Sequence, residues 1–340
     1  MDYIKRKNAL IGGYLVGQLI KLQDYISRYE QDIYRYPGEF IRLKKAQWEK
    51  VKYAWENEML DAFYSSEVQM QEPEEWLEEK KSFFSTVKNW FRRSSQPEEE
   101  TSENTTENNG EDPFSFSFTT EPNTLDDLKA LFLEKLFHLQ LRWASSTLRD
   151  ASLIDKKYYY DEDLKYFLQR FPDTYLCLYK PVFRLKNAPI ELEVILLSPI
   201  MTWCITFAEG KEDNIIIGSH ERFWTELTNG KEKKIVNPLI ALNRTENIIK
   251  KIYQTHDVQF PIKKVILNRK GYLDYKYAPQ DVQLIDKRNY EQWFSSLRNL
   301  TSPLKHIQLK AASALLRYCQ SQYNERLEWQ ETNEDEEQGG

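Results

Sequence analysis

The sequence predicts a mixed α/β (α+β) domain in the C-terminal half, preceded by an α-helical region at the N-terminus. Apolar residues recur every three or four positions from Leu19 to Met59, which is the period of an amphipathic helix. The second half instead alternates helical patterns with short runs rich in β-branched and aromatic residues. An acidic stretch poor in aliphatic residues separates the halves and should be disordered.

The expected organisation has six parts, and a chain of 340 residues can hold one large or two modest domains. The parts are a helical, coiled-coil-like region (1–94), an acidic disordered linker (95–124), a connecting helix (125–150), an α/β domain (151–300), a C-terminal helix (301–328) and an acidic tail (329–340).

In the N-terminal region we expect two helices with aromatic seams, interrupted at Pro37-Gly38. A third amphipathic helix is predicted from Glu74 to Arg93. It could lie on a membrane surface, but its first turns carry four glutamates, which favours packing against the neighbouring helices. These helices are the predicted surface for a protein partner.

The first residues resemble a signal sequence, because Lys5-Arg6-Lys7 precedes an apolar run. That run is too short to span a bilayer, so no membrane span is expected. Three cysteines without a CxxC pair indicate buried structural thiols in a reducing cytoplasm, and four scattered histidines show no zinc-ligand spacing. Whether residues 1–15 belong to the native protein is left open.

The formal charge of −6 is unevenly distributed. The linker has eight acidic and no basic residues, and the tail adds five acidic residues, which leaves +7 on the rest. A basic folded part is compatible with a nucleic-acid partner. The segment "LNRKGYLDYKY" (267–277) mixes aromatic and basic residues that could stack on a single strand, although a β-hairpin with exposed tyrosines explains the same residues.

Capping signals and strand patterns define the elements after the linker. Thr124 and Asp127 form a capping signal for the connecting helix, and Asn237 precedes a proline at the first position of another helix. Further helices are predicted at 290–297 and after Ser302-Pro303. The predicted strands are 175–185, the two arms of a hairpin over 190–207, 214–217, 263–268 and 282–285. Within the stretch 190–210, acid chemistry would have to come from Glu191, Glu193 and Glu209.

The order of three segments resembles the nuclease-related domain (NERD), a relative of the PD-(D/E)xK nucleases. The residues that carry the resemblance are "IELEVILLSP" (190–199), Trp224 and "NPLIALNR" (237–244), and it covers about Asp161 to Leu297. The resemblance implies that the α/β domain has a PD-(D/E)xK nuclease core.

That family holds Mg²⁺ with an acid on the first arm and a glutamate on the second, followed two residues later by a lysine. Aligning this chain with the family places Glu193 at the acid, Thr206 at the glutamate and Ala208 at the lysine. The resemblance therefore implies a degenerate site that does not cut. Glu209 and Lys211 form a shifted E-x-K, which could complete a site with Glu193 if the strand has a bulge, although a solvated turn explains them too.

Three functions are therefore predicted. The first is a catalytically degenerate NERD-like module that binds nucleic acid or protein. The second is an active Mg²⁺-dependent nuclease with Glu193, Glu209 and Lys211 as catalytic residues and the two glutamates as metal ligands. The third is a helical protein-interaction scaffold unrelated to nucleases. Without the nuclease activity, no cofactor is expected.

Overall fold

The computed structural model describes residues 15–60, 121–147, 150–185, 188–300, 302–322 and 324–325. The helices are α1 (Tyr36–Glu56), α2 (Leu125–Trp143), α3 (Glu162–Arg170), α4 (Pro238–Thr255), α5 (Tyr290–Arg298) and α6 (His306–Leu316). The strands are β1 (Gln18–Leu22), β2 (Asp150–Ala151), β3 (Leu176–Tyr179), β4 (Val182–Leu185), β5 (Ala188–Glu191), β6 (Val194–Leu197), β7 (Thr202–Phe207), β8 (Ile215–Ile217), β9 (Phe223–Thr228), β10 (Lys231–Val236), β11 (Ile262–Asn268), β12 (Tyr272–Asp274), β13 (Val282–Asp286) and β14 (Asn324–Glu325).

Two mixed sheets confirm the predicted α+β class. The larger sheet has six strands in the order β1-β3-β6-β7-β11-β13, and the smaller has four in the order β10-β9-β8-β12. In the larger sheet β6 and β7 form the predicted antiparallel hairpin, while β11 pairs in parallel with both β7 and β13. No bulge interrupts the pairing of β6 with β7, in which Val194 lies opposite Ile205.

The expectation of an entirely helical N-terminal region is wrong for residues 18–22. These residues form β1, which pairs in parallel with β3 at the edge of the larger sheet. All five side chains are buried, and the Leu19 amide donates to the Gln140 side chain at 2.8 Å. Local apolar spacing cannot reveal this pairing, because the partner strand lies more than 150 residues along the chain.

Pro37 and Gly38 begin a helix instead of separating two helices. α1 starts at Tyr36, so Pro37 occupies its first turn, where a missing amide hydrogen breaks no helical bond. The part of this region from Ile41 to Glu56 is helical as predicted. The predicted helix at 74–93, the linker from 95 to 120 and the tail at 329–340 lie outside the described residues.

Two predicted helix caps are confirmed. The Asn237 side chain accepts from the Leu239 amide at 2.9 Å, and Thr124 and Asp127 exchange hydrogen bonds at the start of α2. The last helix begins at His306, three residues after the predicted Ser302-Pro303 signal. The segment 267–277 is not a hairpin, because β12 pairs with β8 and not with β11.

Helices cover both faces of the larger sheet. On one face α3 and α5 pack against side chains that include Val194, Ile205 and Leu267. On the other face α4 packs on β7 and β11, where the Tyr253 hydroxyl lies 2.7 Å from the Thr202 hydroxyl. Strand alternation therefore places residues 193, 202 and 206 on the α4 face.

The described residues fall into two compact units. One contains residues 15–41 and 136–324, with both sheets, and the other contains residues 42–60 and 121–135 together with residue 325. Across the described ranges, every helix is too short or too polar to cross a membrane.

A core substitution in β1 tests its place in the sheet. Leu19 is fully buried, so we expect Leu19→Ala to lower the free energy of unfolding by about 2–5 kcal/mol. Leu153→Ala is a matched control, because Leu153 is 77% exposed and its loss should change stability by less than about 0.5 kcal/mol. Urea unfolding measures both values, and equal stabilities would contradict the assignment of β1 to the core.

Candidate functional site

Glu193 lies at the bend between β5 and β6, on the α4 face of the larger sheet. Its backbone amide donates to the Thr245 hydroxyl of α4 at 3.1 Å. The β6–β7 pairing sets Glu193 opposite Thr206, and the Thr206 hydroxyl forms a hydrogen bond with the Glu193 carboxyl. Thr206 is itself buried, so the carboxyl is held against the sheet in a fixed position.

Burial raises the pKa of the Glu193 carboxyl above its ordinary value. The hydrogen bond from Thr206 and the positive charges of Lys180 and Arg244 counteract part of this rise, while the negative charge of Glu191 adds to it. Arg244 is exposed and donates to the Glu191 carbonyl oxygen at 3.1 Å. We call these five residues the Glu193 site. It combines a partly desolvated acid with two cations.

Lys180 reaches this site from a strained backbone. Its φ of +46° lies in the left-handed region, which a lysine adopts at a cost of about 1–3 kcal/mol. The residue is half-buried in the connection between β3 and β4, with its amino group 5.4 Å from the centre of the Tyr179 ring. Such strain is concentrated at functional positions, where the surrounding structure fixes an unusual conformation.

Glu209 belongs to a different cluster. Its carboxylate receives two hydrogen bonds from the Arg269 guanidinium, at 2.6 and 2.9 Å, and one from the Arg269 amide. Arg269 also pairs with Asp163 and lies over the rings of Tyr166 and Phe207. Although burial alone would lower the pKa of Arg269, its hydrogen bond to Glu209 raises that pKa above its ordinary value. The positive charge of Arg269 is therefore compensated by two carboxylates.

The structure does not bring Glu193 and Glu209 together. Phe207 and Arg269 pack on the α3 face, and Glu209 follows Phe207 on that side, whereas Glu193 lies on the α4 face. Lys211 is exposed in the turn before β8. Ala208, aligned with the family lysine, is buried and pairs through its amide with Leu267.

Neither predicted carboxylate arrangement matches a Mg²⁺ site. Glu193, Thr206 and Ala208 supply one carboxylate, and the two glutamates of the shifted E-x-K lie on opposite faces of the sheet. Across the described ranges, no group of three histidine, cysteine, aspartate or glutamate side chains is arranged to hold a metal ion.

A second charged cluster on the α4 face is structural. The amino group of the buried Lys264 bonds Asn243 at 2.7 Å, Glu246 at 3.0 Å and Asp281 at 2.7 Å. These bonds tie α4 to β11 and leave the lysine with three partners, the number an ammonium group can bind. Cys204, buried and free next to this cluster, has its thiol pKa raised by burial, as a structural thiol should.

The sequence identifies the two acids of the Glu193 site, Glu191 and Glu193, and the position of Thr206, but it does not identify the two cations as site residues. Arg244 is only the last residue of the "NPLIALNR" pattern, and no sequence pattern singles out Lys180. No local signal distinguishes Lys180 from other surface lysines, because its left-handed backbone depends on the turn between β3 and β4.

The chain is 40% identical over 128 residues to a protein of Geobacillus stearothermophilus that is called RNA 2′,3′-cyclic phosphodiesterase. The matched stretch is 37% of this chain and 36% of that protein, so it spans about a third of the relative's length. No family model matches the chain, and no solved structure does.

The name of this relative overturns the functional prediction from the sequence. The relative is named for phosphodiester hydrolysis, which contradicts the leading prediction of a nuclease-related module that only binds, and an enzyme's name does not describe a helical scaffold either. The shifted E-x-K nuclease lacks support because the structure places Glu193 and Glu209 on opposite faces of the larger sheet. The resemblance to the nuclease-related domain is a separate matter that this comparison does not test, and it stays a prediction.

The raised pKa of Glu193 predicts how a variant responds to pH. An acid whose pKa is higher in the folded state stabilises the fold below its unfolded pKa of about 4.3, and that contribution is lost as the pH rises through the folded pKa. Glu193→Gln does not titrate. Its stability relative to the original protein should therefore increase between about pH 4 and about pH 7.

Urea unfolding at the two pH values measures this change. Glu212→Gln, which removes one negative charge from an exposed turn, is the control for the loss of charge alone. If the relative stability of Glu193→Gln falls with rising pH, Glu193 is stabilised as a carboxylate and the predicted direction of its pKa shift is wrong.

Proposed function

We propose that this chain hydrolyses a phosphodiester of RNA, of the 2′,3′-cyclic kind for which its relative is named. The observation that carries the proposal is the Glu193 site, in which a carboxyl of raised pKa lies near two cations. An acid with a raised pKa can exchange protons closer to neutral pH, and cations beside it can bind a phosphate. The substrate class is taken from the name of the relative, and the match covers about a third of that protein's length.

The reaction needs one water molecule and one transferred proton. A water oxygen forms a bond to phosphorus, and the bond from phosphorus to one ribose oxygen breaks. The water gives up a proton and the departing ribose oxygen takes one up, so the products are a phosphomonoester and a free hydroxyl. In this proposal Glu193 transfers the proton, because a raised pKa brings the titration of its carboxyl closer to neutral pH.

Lys180 and Arg244 would stabilise the negative charge of the phosphate. Negative charge accumulates on the phosphate oxygens as the water bonds to phosphorus, and positive groups fixed beside them lower the energy of that state. Lys180 and Arg244 would bind these oxygens, the lysine as a point charge and the guanidinium through a planar pair of donors. The strained backbone of Lys180 and the bond of Arg244 to Glu191 would hold both groups before substrate arrives.

Thr206 is the proposed positioning residue. Its hydroxyl bonds the Glu193 carboxyl from a buried place on β7, and it does not itself need to touch the substrate. Because this bond favours the carboxylate, its loss should raise the pKa of Glu193 further.

Hydrolysis of a 2′,3′-cyclic mononucleotide by the purified full chain tests the proposal. We expect Glu193→Gln to lower kcat/KM by about 100- to 10,000-fold, the usual contribution of a general acid or base. Lys180→Met and Arg244→Met should each lower kcat/KM by roughly tenfold or more, because each variant lacks one positive side chain that would bind the phosphate oxygens.

Glu212→Gln is the matched control and should leave the rate unchanged, since Glu212 is exposed in a turn. Circular dichroism of each variant shows whether the fold is intact. Full activity of a folded Glu193→Gln protein would rule out the role of Glu193, and no hydrolysis by the original protein would rule out the proposed function.

A further inference from the structure

Lys180 lies in a short turn after β3 that is bonded at both ends to a single residue, Gln23. The Gln23 amide donates to the Tyr179 carbonyl at 3.0 Å, and the Gln23 carbonyl accepts from the Val182 amide at 3.3 Å. These two bonds flank Lys180 and Pro181. The backbone position of Lys180 therefore depends on the position of Gln23.

The same turn is bonded to the bend that carries Glu193. The Leu192 amide donates to the Pro181 carbonyl at 3.0 Å. Leu192 directly precedes Glu193 in the chain and is buried. Because Pro181 directly follows Lys180, this bond fixes the backbone beside the cation against the backbone beside the acid.

Gln23 has an unfavourable backbone conformation, as Lys180 has. Its φ is +41°, and that of Lys180 is +46°. The Tyr25 amide donates to the Leu22 carbonyl at 3.0 Å, which closes a turn with Gln23 and Asp24 at its centre. Left-handed residues with a side chain persist where the surrounding structure fixes them. The two turns therefore depend on bonds from other segments of the chain.

A buried lysine supplies the first of these bonds. We call Lys21, Glu30 and Ser321 the Lys21 cluster. The Lys21 side chain is fully buried, and its ammonium donates to the Tyr25 carbonyl at 2.6 Å and to the Ser321 hydroxyl at 2.8 Å. It also pairs with the Glu30 carboxylate. These three acceptors are the number that an ammonium group can bind, and they fix the end of the turn around Gln23.

The chain that follows α6 bonds both turns. We call residues 318–322 the strap. The Gln320 amide donates to the Val182 carbonyl at 2.7 Å, directly after the Lys180 turn. The Gln322 amide donates to the Asp24 carbonyl at 2.7 Å, in the turn around Gln23. The strap therefore connects the two left-handed turns by backbone hydrogen bonds.

Ser321 joins the strap to the Lys21 cluster. Its hydroxyl accepts from the Lys21 ammonium and donates to the Glu30 carboxylate at 2.9 Å, so it uses both its donor and an acceptor position. Since Lys21 is buried, its charge needs these partners to stay in place. The strap is thus bonded through its backbone on either side of Ser321 and through the Ser321 side chain.

We infer that the strap is a positioning element of the Glu193 site, which holds Lys180 where its ammonium can bind the phosphate. The inference rests on the proposed function, which assigns a phosphate contact to Lys180. The Gln322 amide and the Ser321 hydroxyl act through the turn around Gln23 and do not touch the substrate. A segment far from Lys180 in sequence thereby fixes one of the two cations of the site.

A matched pair of variants at Gln322 tests the inference in the full chain. The Gln322 side chain is exposed, so Gln322→Ala keeps the bond to Asp24, whereas Gln322→Pro lacks the amide hydrogen. We expect Gln322→Pro to speed hydrogen exchange at the Gln23 and Val182 amides by about 2- to 10-fold, the effect of one lost hydrogen bond. Gln322→Ala should leave their exchange unchanged.

Exchange at single amides is measured by NMR, and the amides of β11 show whether a variant has become less stable as a whole. Ser321→Ala repeats the test without a change to the backbone and should also speed exchange at Gln23 and Val182. Ser321→Thr retains the hydroxyl and should exchange like the original protein. Unchanged exchange in both Gln322→Pro and Ser321→Ala would overturn the inference.

Kinetics distinguish the positioning of Lys180 from a general loss of structure. We expect Gln322→Pro to lower kcat/KM for a 2′,3′-cyclic mononucleotide by up to about tenfold, the loss expected for Lys180→Met itself. In the Lys180→Met background, Gln322→Pro should cause no further loss, because the side chain that the strap positions has been removed. An equal loss in both backgrounds would contradict an action through Lys180 and overturn the inference.

Hydrogen exchange does not require catalysis, so it separates this inference from the proposed function. If the original protein hydrolyses the mononucleotide but the strap variants exchange like the original, the inference alone is refuted. If the original protein does not hydrolyse it but the strap variants exchange faster at Gln23 and Val182, the strap holds the Lys180 turn and the proposed function alone is refuted.

Discussion

The pairing of β6 with β7, with Val194 opposite Ile205, decides on which face of the larger sheet each polar residue of the hairpin lies. Because side chains alternate along a strand, a shift by one residue would exchange the two faces. In the observed register Val194 and Ile205 enter the core beneath α3 and α5, and Glu193 and Thr206 are directed towards α4. The Glu193 site thus depends on the burial of its apolar neighbours.

The same alternation separates three charged residues, Arg269, Lys264 and Glu193, which differ in how far neighbouring opposite charges neutralise them. Arg269 is paired with two carboxylates, and Lys264 is paired with two carboxylates and an amide. In the described part of the chain, the Glu193 carboxyl forms a hydrogen bond with the Thr206 hydroxyl. The charges of Lys180 and Arg244 act on this carboxyl without a direct ion pair. Paired clusters stabilise the fold, whereas an incompletely compensated acid retains the capacity to exchange a proton or to receive a ligand.

Elements with a local signal were predictable from the sequence, and elements that depend on distant partners were not. The hairpin and α4 carry strand alternation and an Asn-Pro cap, and both are found where expected. β1 has helical spacing by coincidence and is a strand because β3 pairs with it. At the site, Glu193 could be selected as one of few acids near the hairpin, but Lys180 could not, because tertiary structure determines its left-handed conformation.

The central claim is that the proton of Glu193 takes part in phosphodiester hydrolysis. The most direct measurement follows the Glu193 side-chain carboxyl by ¹³C NMR through a pH titration and compares its pKa with the acid limb of the pH profile of kcat/KM. We predict a pKa above the ordinary glutamate value and an acid limb that coincides with it. A Glu193 pKa at or below the ordinary value, or an acid limb that does not follow it, would contradict this role for Glu193.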